Sequence, residues 1–196
     1  EIKNLTKLIK PHIGVITNIG EAHIENFKNI KEIARAKGEI IENVKKNGTV
    51  ILNRDDKFFS YLSKKAISKN IKVITFGKNI KSDVRLLKST SYNNLKKIKI
   101  ELLGLKINLK AKDINIYNIL ASIALLKVLN LNYEKVLKSY VLFEPSEGRG
   151  KTHKIKRFRK KFSLIDESYN ANPLSMKNAI NNFNSLKKKK SKKYLI

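Results

Sequence analysis

The chain has 196 residues, enough for one large domain or two small ones. It contains no cysteine, which excludes disulfide frameworks and cysteine-based zinc sites. No apolar run approaches the roughly 20 residues that span a bilayer, and no segment has the pattern of a signal peptide. We therefore expect a cytoplasmic protein without a membrane span.

The charge of the chain is strongly positive, with 43 basic and 16 acidic residues and a formal net charge of +27. One interpretation is a polyanionic partner, which would make the protein a basic nucleic-acid-binding protein. However, only 6 of the basic residues are arginine, the side chain favoured for bidentate contacts to phosphates and bases. The lysines also occur along the whole chain, so compositional bias is the favoured explanation, and specific nucleic-acid binding stays the alternative.

The first part of the chain alternates predicted strands and helices. Short β-branched apolar runs predict buried strands at residues 12–18, 49–52 and 73–76. Helical spacing of apolar residues predicts a helix at residues 30–44, and a second helix runs to about residue 68. Asp55 and Asp56 are predicted in the first turn of that second helix, where carboxylates meet the positive end of the helix dipole. This alternation predicts an α/β fold with a parallel sheet covered on both faces.

The pattern changes in the middle of the chain. Apolar or alternating runs at residues 83–88, 97–102 and 105–109 predict a small antiparallel hairpin appended to the parallel sheet, with a turn at Leu103 and Gly104. Residues 114–129 form a strongly apolar predicted helix, and residues 133–141 a shorter one.

A stretch rich in proline and glycine then marks a domain boundary. We predict one domain at residues 1–144, a linker at 145–150, and the start of a second domain at 151–196. The second domain has predicted strands at residues 154–159 and 162–165, and Pro173 opens a helix that continues to residue 186. Residues 194–196 are predicted as the beginning of a further strand.

Three polar groupings could support chemistry. Residues 17–23 (TNIGEAH) follow a buried strand, the position at which open α/β sheets bind ligands. There His23 could bind a divalent metal beside phosphates, or form ordinary loop hydrogen bonds. Asn115 and Asn118 open the apolar helix; such amides cap helices, and can also pair with the edge of an adenine.

The third grouping is residues 164–173 (LIDESYNANP), with Arg149 upstream. An arginine fork suits phosphate oxygens. A phosphate-binding loop of the form G-x-x-x-x-G-K-[ST] is absent from the sequence. Residues 148–152 (GRGKT) end like one, but they lack the upstream glycine and a preceding apolar strand, so we do not interpret them as a P-loop.

Together these groupings resemble the Mur ligases of peptidoglycan synthesis. The matching segments keep their order across nearly the whole chain: residues 17–23, 36–40, 52–56, 115–118, 148–149 and 166–176. The stretch at residues 168–173 (SYNANP) resembles the branch that adds D-alanyl-D-alanine. Another Mur ligase, or a relative of folylpolyglutamate synthetase, is the alternative within the superfamily.

The resemblance implies a three-domain enzyme. This chain would contain the later part of a P-loop-type central ATP-binding domain and the start of a Rossmann-like C-terminal domain. The N-terminal domain, the P-loop and most of the C-terminal domain would lie outside it, so we expect the chain alone to be inactive. The resemblance also implies that the full-length enzyme is a monomer. The implied reaction uses ATP and Mg²⁺ to convert a carboxylate of UDP-N-acetylmuramoyl-tripeptide to an acyl phosphate, which the amine of D-alanyl-D-alanine then attacks.

The resemblance also assigns roles to individual residues. His23 matches a magnesium ligand, and Lys37 matches a lysine that is carbamylated in the family and can hold or orient a second Mg²⁺. For ATP, the matches are Asn115 and Asn118 near the adenine, Arg149 near the phosphates, and Glu167 at the ribose hydroxyls. Tyr169, Asn170 and Asn172 would fix the loop or face the substrate. The chain departs from the family pattern at Glu167, where aspartate is commoner, and at Ile114, where the family usually has histidine.

Overall fold

A computed structural model describes residues 2–21, 27–92, 95–112, 115–169, 171, 173–186 and 192–196. The chain divides into two compact units, Glu1–Phe143 and Glu144–Ile196. The division lies between Phe143 and Glu144, just before the proline- and glycine-rich stretch. The predicted domain bounds, and the assignment of the two parts to an ATP-binding and a ligase domain, stay predictions. Among the described residues, no helix has the length and apolar character needed to cross a membrane.

The first unit contains six strands and five helices among its described residues. The strands are β1 (Ile13–Ile16), β2 (Thr49–Asn53), β3 (Lys72–Gly77), β4 (Val84–Tyr92), β5 (Leu95–Leu102) and β6 (Leu105–Lys112). The helices are α1 (Ile2–Ile9), α2 (Ile30–Gly38), α3 (Phe59–Ile67), α4 (Ile116–Val128) and α5 (Tyr133–Ser139). A 3₁₀ helix, Glu39–Asn43, directly continues α2, so the long helix expected at residues 30–44 is present with a tightened second half.

The six strands form one sheet in the order β1-β2-β3-β4-β5-β6. Strands β1 to β4 pair in parallel, and β4, β5 and β6 pair antiparallel. The α/β fold with a parallel sheet and an antiparallel extension is therefore confirmed, and the extension has three strands. The turn between β5 and β6 has positive φ angles at both Leu103 and Gly104, as a tight hairpin with right-handed strand twist requires.

The core lies on both faces of the sheet because alternate residues of the central strands point to opposite sides. On one face, Val50 and Leu52 of β2 belong to a cluster with buried residues of α2 and α3. On the other, Ile51 and Phe76 belong to a cluster with the apolar residues of α4. Packing on both faces explains why β2 is a continuous apolar run in the sequence.

Two features of the first unit differ from the sequence-based expectation. Helix α3 begins at Phe59, so the prediction that Asp55 and Asp56 occupy its first turn was wrong. Both carboxylates instead accept hydrogen bonds from neighbouring loops, which holds the chain out of the helix at these positions. Helix α1 was not predicted. Two side chains of the 3₁₀ helix hold it in place: the Glu39 carboxylate accepts from the Lys3 amide, and the Asn43 amide donates to the Lys3 carbonyl.

The second unit contains strands β7 (Lys151–Arg157) and β8 (Lys160–Asp166), which pair antiparallel, and helix α6 (Pro173–Ser185). A strand, and no helix, follows Gly150, which confirms that residues 148–152 do not form a P-loop. The strand expected at residues 194–196 is absent: residues 192–196 have no regular structure. The two strands described in this unit pair only with each other.

Candidate active site

The polar groups of the first unit converge where the parallel strands end. Asn53 is the last residue of β2, and its amide donates to the Thr17 carbonyl after β1 over 3.2 Å. Its side-chain oxygen accepts from the Asp55 amide at 3.0 Å, which turns the chain immediately after the strand. The carboxyl ends of adjacent parallel strands meet at one edge, the usual ligand-binding edge of such sheets.

Asp55 joins three segments of this edge. Its carboxylate accepts from the amides of Lys78 and Asn79 after β3, at 2.6 and 2.9 Å, and from the Tyr117 hydroxyl of α4 at 3.0 Å. Burial, together with the hydrogen bond to Asp55 and its negative charge, raises the pKa of Tyr117 to about 12. Asp55 therefore fixes the start of α4 relative to the ends of β2 and β3.

Asp56 has a corresponding role toward the loop after β1. One carboxylate oxygen accepts from the Ile19 amide at 2.7 Å, and the other from the Phe58 amide at 2.8 Å. The loop that begins the predicted metal-binding segment is thereby held against the segment after β2.

Lys37 lies in the last turn of α2 and reaches this edge. Its Nζ donates to the Asn18 carbonyl at 3.1 Å. Burial lowers the pKa of the Lys37 amine, while the negative charge of Asp56 acts in the opposite direction. A lysine with a lowered pKa is more often neutral, and a neutral amine is the form that can react as a nucleophile.

Asn115 and Asn118 occupy the start of α4 with different roles. Asn115 caps the helix, because its side-chain oxygen accepts from the Tyr117 amide at 2.9 Å. Asn118 is exposed, and its side-chain amide makes no hydrogen bond to another described residue. The capping interpretation therefore applies to Asn115, while Asn118 has a donor and an acceptor available for a ligand.

In the second unit, Arg149 lies in a turn that is tied to the end of β8. The Gly148 amide donates to Asp166 Oδ2 at 3.1 Å, and the Gly150 amide to the Asp166 carbonyl at 2.7 Å. The guanidinium carbon of Arg149 lies 4.1 Å from the centre of the Tyr169 ring, a cation–π stack. Gly148 has φ of +71°, and a Cβ there would lie 2.8 Å from the Tyr169 backbone nitrogen, so this close approach requires glycine.

The adjacent acids Asp166 and Glu167 have opposite electrostatic environments. The Ser168 hydroxyl and amide lower the pKa of Asp166 most strongly, with further help from the Gly148 amide and from His153. Burial raises the pKa of Glu167, and the neighbouring Asp166 carboxylate raises it further. Asp166 is thus a structural acceptor at the turn, and Glu167 is the acid whose carboxylate is not used by the turn.

A group of possible metal ligands in the second unit was not predicted. Ligand atoms of Glu147, His153 and Asp166 all lie within 4.8 Å of one another. Glu147 already pairs with Lys151 and with His153 Nε2, the latter at 3.3 Å, and Asp166 accepts from backbone amides. The nearby lysine and the existing hydrogen bonds favour a role in holding the start of β7.

The structure brings some predicted site residues together and leaves others undescribed. Lys37 contacts the loop after β1, and Arg149 stacks on Tyr169. His23, Asn170 and Asn172 lie outside the described residues. The contribution of Tyr117 to the site was not predicted from the sequence.

Comparison with known proteins defines the class. Residues 1–126 match the family model described as the Mur ligase middle domain. The chain belongs to the Mur ligase family, and the resemblance inferred from its motifs is confirmed.

Individual relatives extend the likeness into the second unit. The chain is 32% identical to the UDP-N-acetylmuramoyl-tripeptide–D-alanyl-D-alanine ligase of Rickettsia prowazekii over 92% of this chain and 40% of that protein. It is 28% identical to the UDP-N-acetylmuramate–L-alanine ligase of Aquifex aeolicus, over 91% of this chain and 38% of the relative. The chain thus spans about 40% of the length of these curated relatives.

Solved structures share the fold. MurF from Acinetobacter baumannii superimposes with a TM-score of 0.85 at 24% identity, over 95% of this chain and 40% of that one. A MurF ligase from Thermotoga maritima in complex with ADP has a TM-score of 0.77 at 22% identity, over 92% of this chain and 41% of that one.

Proposed function

We propose that the protein is an ATP-dependent ligase that joins D-alanyl-D-alanine to UDP-N-acetylmuramoyl-tripeptide. The observation that carries the proposal is the extent of its likeness to the D-alanyl-D-alanine ligase of R. prowazekii, over 92% of the chain. That share exceeds the 126 residues of the common middle domain. It therefore includes part of the second unit, where the sequence at residues 168–173 resembles the D-alanyl-D-alanine-adding branch.

The proposed reaction has two steps. A carboxylate oxygen of the tripeptide attacks the γ-phosphorus of ATP, ADP leaves, and an acyl phosphate forms. The amino group of D-alanyl-D-alanine then attacks the acyl carbon, the C–O bond to phosphate breaks, and the amine loses a proton. The products are the amide, inorganic phosphate and ADP, and the reaction is carried out in the cytoplasm.

The chain's own residues fit the binding of nucleotide. Asn118 offers an exposed amide at the N-terminal end of α4, and its donor and acceptor match the edge of an adenine. In the second unit, stacking on Tyr169 orients the planar Arg149 guanidinium, whose fork suits phosphate oxygens. Glu167 would accept hydrogen bonds from the ribose hydroxyls, since the turn leaves its carboxylate available.

The resemblance assigns a divalent cation to Lys37 and to His23, which lies outside the described residues. His23 would provide a nitrogen ligand, and Lys37, once carbamylated, would provide anionic oxygen. Burial of the Lys37 amine favours the neutral form that reacts with carbon dioxide. When bound, Mg²⁺ neutralises charge on the phosphates during transfer.

The test is an ADP-release assay on the longest form of the protein that its gene encodes. We expect continuous ADP formation, beyond a single turnover, only when both UDP-N-acetylmuramoyl-tripeptide and D-alanyl-D-alanine are present with ATP and Mg²⁺, because the amine is needed to consume the acyl phosphate. Relatives named as L-alanine ligases make UDP-N-acetylmuramate with L-alanine the informative alternative pair. ADP release with that pair, and none with the first, would overturn the proposed substrates.

Variants of helix α2 test the proposed role of Lys37. Lys37→Arg keeps a positive charge but cannot form a carbamate, so we expect kcat to fall by about two orders of magnitude or more. Lys31→Arg is the matched control, because Lys31 is exposed on the same helix. An unchanged kcat in Lys37→Arg would show that the carbamate is not needed.

A further inference from the structure

The hairpin of the second unit ends in a concentrated positive surface. Strands β7 and β8 are joined through residues 156–161, whose sequence is KRFRKK. We call these six residues the hairpin tip. Five of the six are basic, and the sequence from Lys151 to Ile165 contains no acidic residue. All six are exposed, so their charges are available to a partner.

The turn at the tip holds a bulky residue in a backbone conformation that such residues rarely adopt. Arg157 pairs with Lys160, which leaves a two-residue turn with φ of +51° at Phe158 and +58° at Arg159. Turns of this kind favour asparagine and glycine, because bulkier side chains are strained at positive φ. Phe158 is also 81% exposed. Burial within the described part of the chain therefore does not explain a phenylalanine at this position.

Basic side chains flank Phe158 on both faces of the hairpin. Lys156 pairs with Lys161, and Arg157 pairs with Lys160. Successive side chains of a strand point to opposite faces, so one pair lies on each face. Like charges directly opposite one another destabilise a sheet. Among the described residues, no carboxylate forms an ion pair with these four side chains, so an anionic surface at the tip would relieve the repulsion.

We propose that the hairpin tip binds the surface of a membrane that contains anionic phospholipids. The exposed Phe158 ring would enter the boundary between headgroups and acyl chains, where interfacial proteins place Trp, Phe and Leu side chains. The flanking cations would reach the lipid phosphates, because lysine and arginine extend their charged ends beyond their apolar stems. This contact is peripheral, and it does not depend on the proposed ligase reaction.

A single-stranded nucleic acid is the other polyanion that basic and aromatic residues could bind. Proteins bind single strands in basic grooves that contain several aromatic rings, on which successive bases stack. The hairpin tip has one aromatic ring, and the guanidinium carbon of Arg157 lies over it, 5.1 Å from its centre. One face of the ring is thus already covered, and a two-residue turn is convex. These features favour a membrane surface.

The test measures cosedimentation of the longest protein that the gene encodes with vesicles of phosphatidylcholine that contain about one-quarter phosphatidylglycerol. Phe158→Asn removes the ring, and asparagine tolerates the positive φ, so the turn is retained. The matched control is Leu103→Asn. Leu103 is 68% exposed and has φ of +53° in the turn between β5 and β6, so both variants replace an exposed apolar residue in the same kind of turn.

A second pair of variants tests the charge. Lys160→Gln with Lys161→Gln is compared with Lys46→Gln with Lys69→Gln, which changes two exposed lysines of the first unit and gives the same net charge. Circular dichroism melting of each variant establishes that it is folded.

We expect Phe158→Asn to weaken vesicle binding by about fivefold or more, and Leu103→Asn to have no effect on it. A basic side chain near an anionic lipid surface strengthens binding about fivefold. The double lysine variant of the tip should therefore bind roughly tenfold or more weakly than its control pair. Vesicles of phosphatidylcholine alone should not bind the protein.

No binding to the anionic vesicles, equal binding to phosphatidylcholine alone, or equal effects of the tip variants and their controls would overturn the proposal. If Phe158→Asn weakened binding of a single-stranded oligonucleotide and left vesicle binding intact, the hairpin tip would be assigned to nucleic acid instead.

Discussion

Asp55 is the residue at which the candidate active site and the stability of the fold are most directly connected. Asp55→Ala removes the acceptor for the Lys78 and Asn79 amides and for the Tyr117 hydroxyl. A hydrogen bond to a charged group contributes about 1.5–3 kcal/mol. Because Asp55 is exposed, solvent screening reduces each contribution to about 0.5–1 kcal/mol. We therefore expect Asp55→Ala to lower the free energy of unfolding by about 2 kcal/mol.

Urea denaturation followed by circular dichroism measures this loss. Tyr117→Phe removes only the hydroxyl, and it should cost about 0.5–1 kcal/mol. A double-mutant cycle isolates the shared bond: once Asp55 is alanine, Tyr117→Phe should cost almost nothing further. Strict additivity of the two changes, or a loss below about 0.5 kcal/mol in Asp55→Ala, would refute the reasoning.

The contact between Asp55 and Tyr117 also makes the free energy of unfolding depend on pH. The pKa of Tyr117 is raised to about 12, so the folded state holds this proton more tightly than the unfolded state. The associated stability is complete below the ordinary tyrosine pKa of 10.0, and is lost as pH rises toward 12. Asp55→Asn should lower the pKa of Tyr117 only in part, because burial is the larger cause; an ultraviolet difference titration against Tyr117→Phe measures it.

Three further predictions concern other residues and the chain as a whole. Gly148→Ala should destabilise the second unit by more than about 1 kcal/mol, because the added Cβ would lie 2.8 Å from Tyr169. Gly104→Ala should cost less, because an added Cβ there meets nothing within 4 Å. Equal shifts of the urea midpoint in the two variants would contradict this. Burial lowers the pKa of Lys37 below 10.5, so the charged amine destabilises the folded state at neutral pH. In carbonate-free buffer, Lys37→Met should therefore be more stable than wild type at neutral pH, and this difference should fade as pH rises toward 10.5. The control Lys31→Met should show no such trend. The 196-residue chain alone should release no ADP with both substrates, because its sequence has no loop to cradle the β- and γ-phosphates; turnover above the no-enzyme rate would contradict this.

The regular parts of the fold could be predicted because their signals are local. Strand β2 is a run of buried β-branched and apolar residues, and Leu103 with Gly104 marks the turn of the β5–β6 hairpin within two residues. The start of α3 could not be predicted in the same way. The carboxylates that would suit a first helical turn are used by amides as far as 37 residues away in sequence, and local patterns do not encode such contacts.

In the candidate site, too, local features could be predicted from the sequence and long-range contacts could not. Asn115 was recognisable as a possible cap from the sequence alone, and the structure has it capping α4. The contact between Tyr117 and Asp55 joins residues 62 positions apart, and it depends on how α4 packs against the sheet. Sequence motifs therefore identified the family, while the hydrogen bonds that orient the site required the packed structure.

The central claim is that the protein activates a carboxylate by phosphoryl transfer and then forms an amide. The most direct measurement uses UDP-N-acetylmuramoyl-tripeptide with oxygen-18 in its reacting carboxylate, together with ATP, Mg²⁺ and D-alanyl-D-alanine, and the longest protein that the gene encodes. Mass spectrometry of the released phosphate should find one oxygen-18 atom for each amide formed, because the acyl C–O bond breaks when the amine attacks. Phosphate free of oxygen-18, or its release without amide formation, would contradict the account.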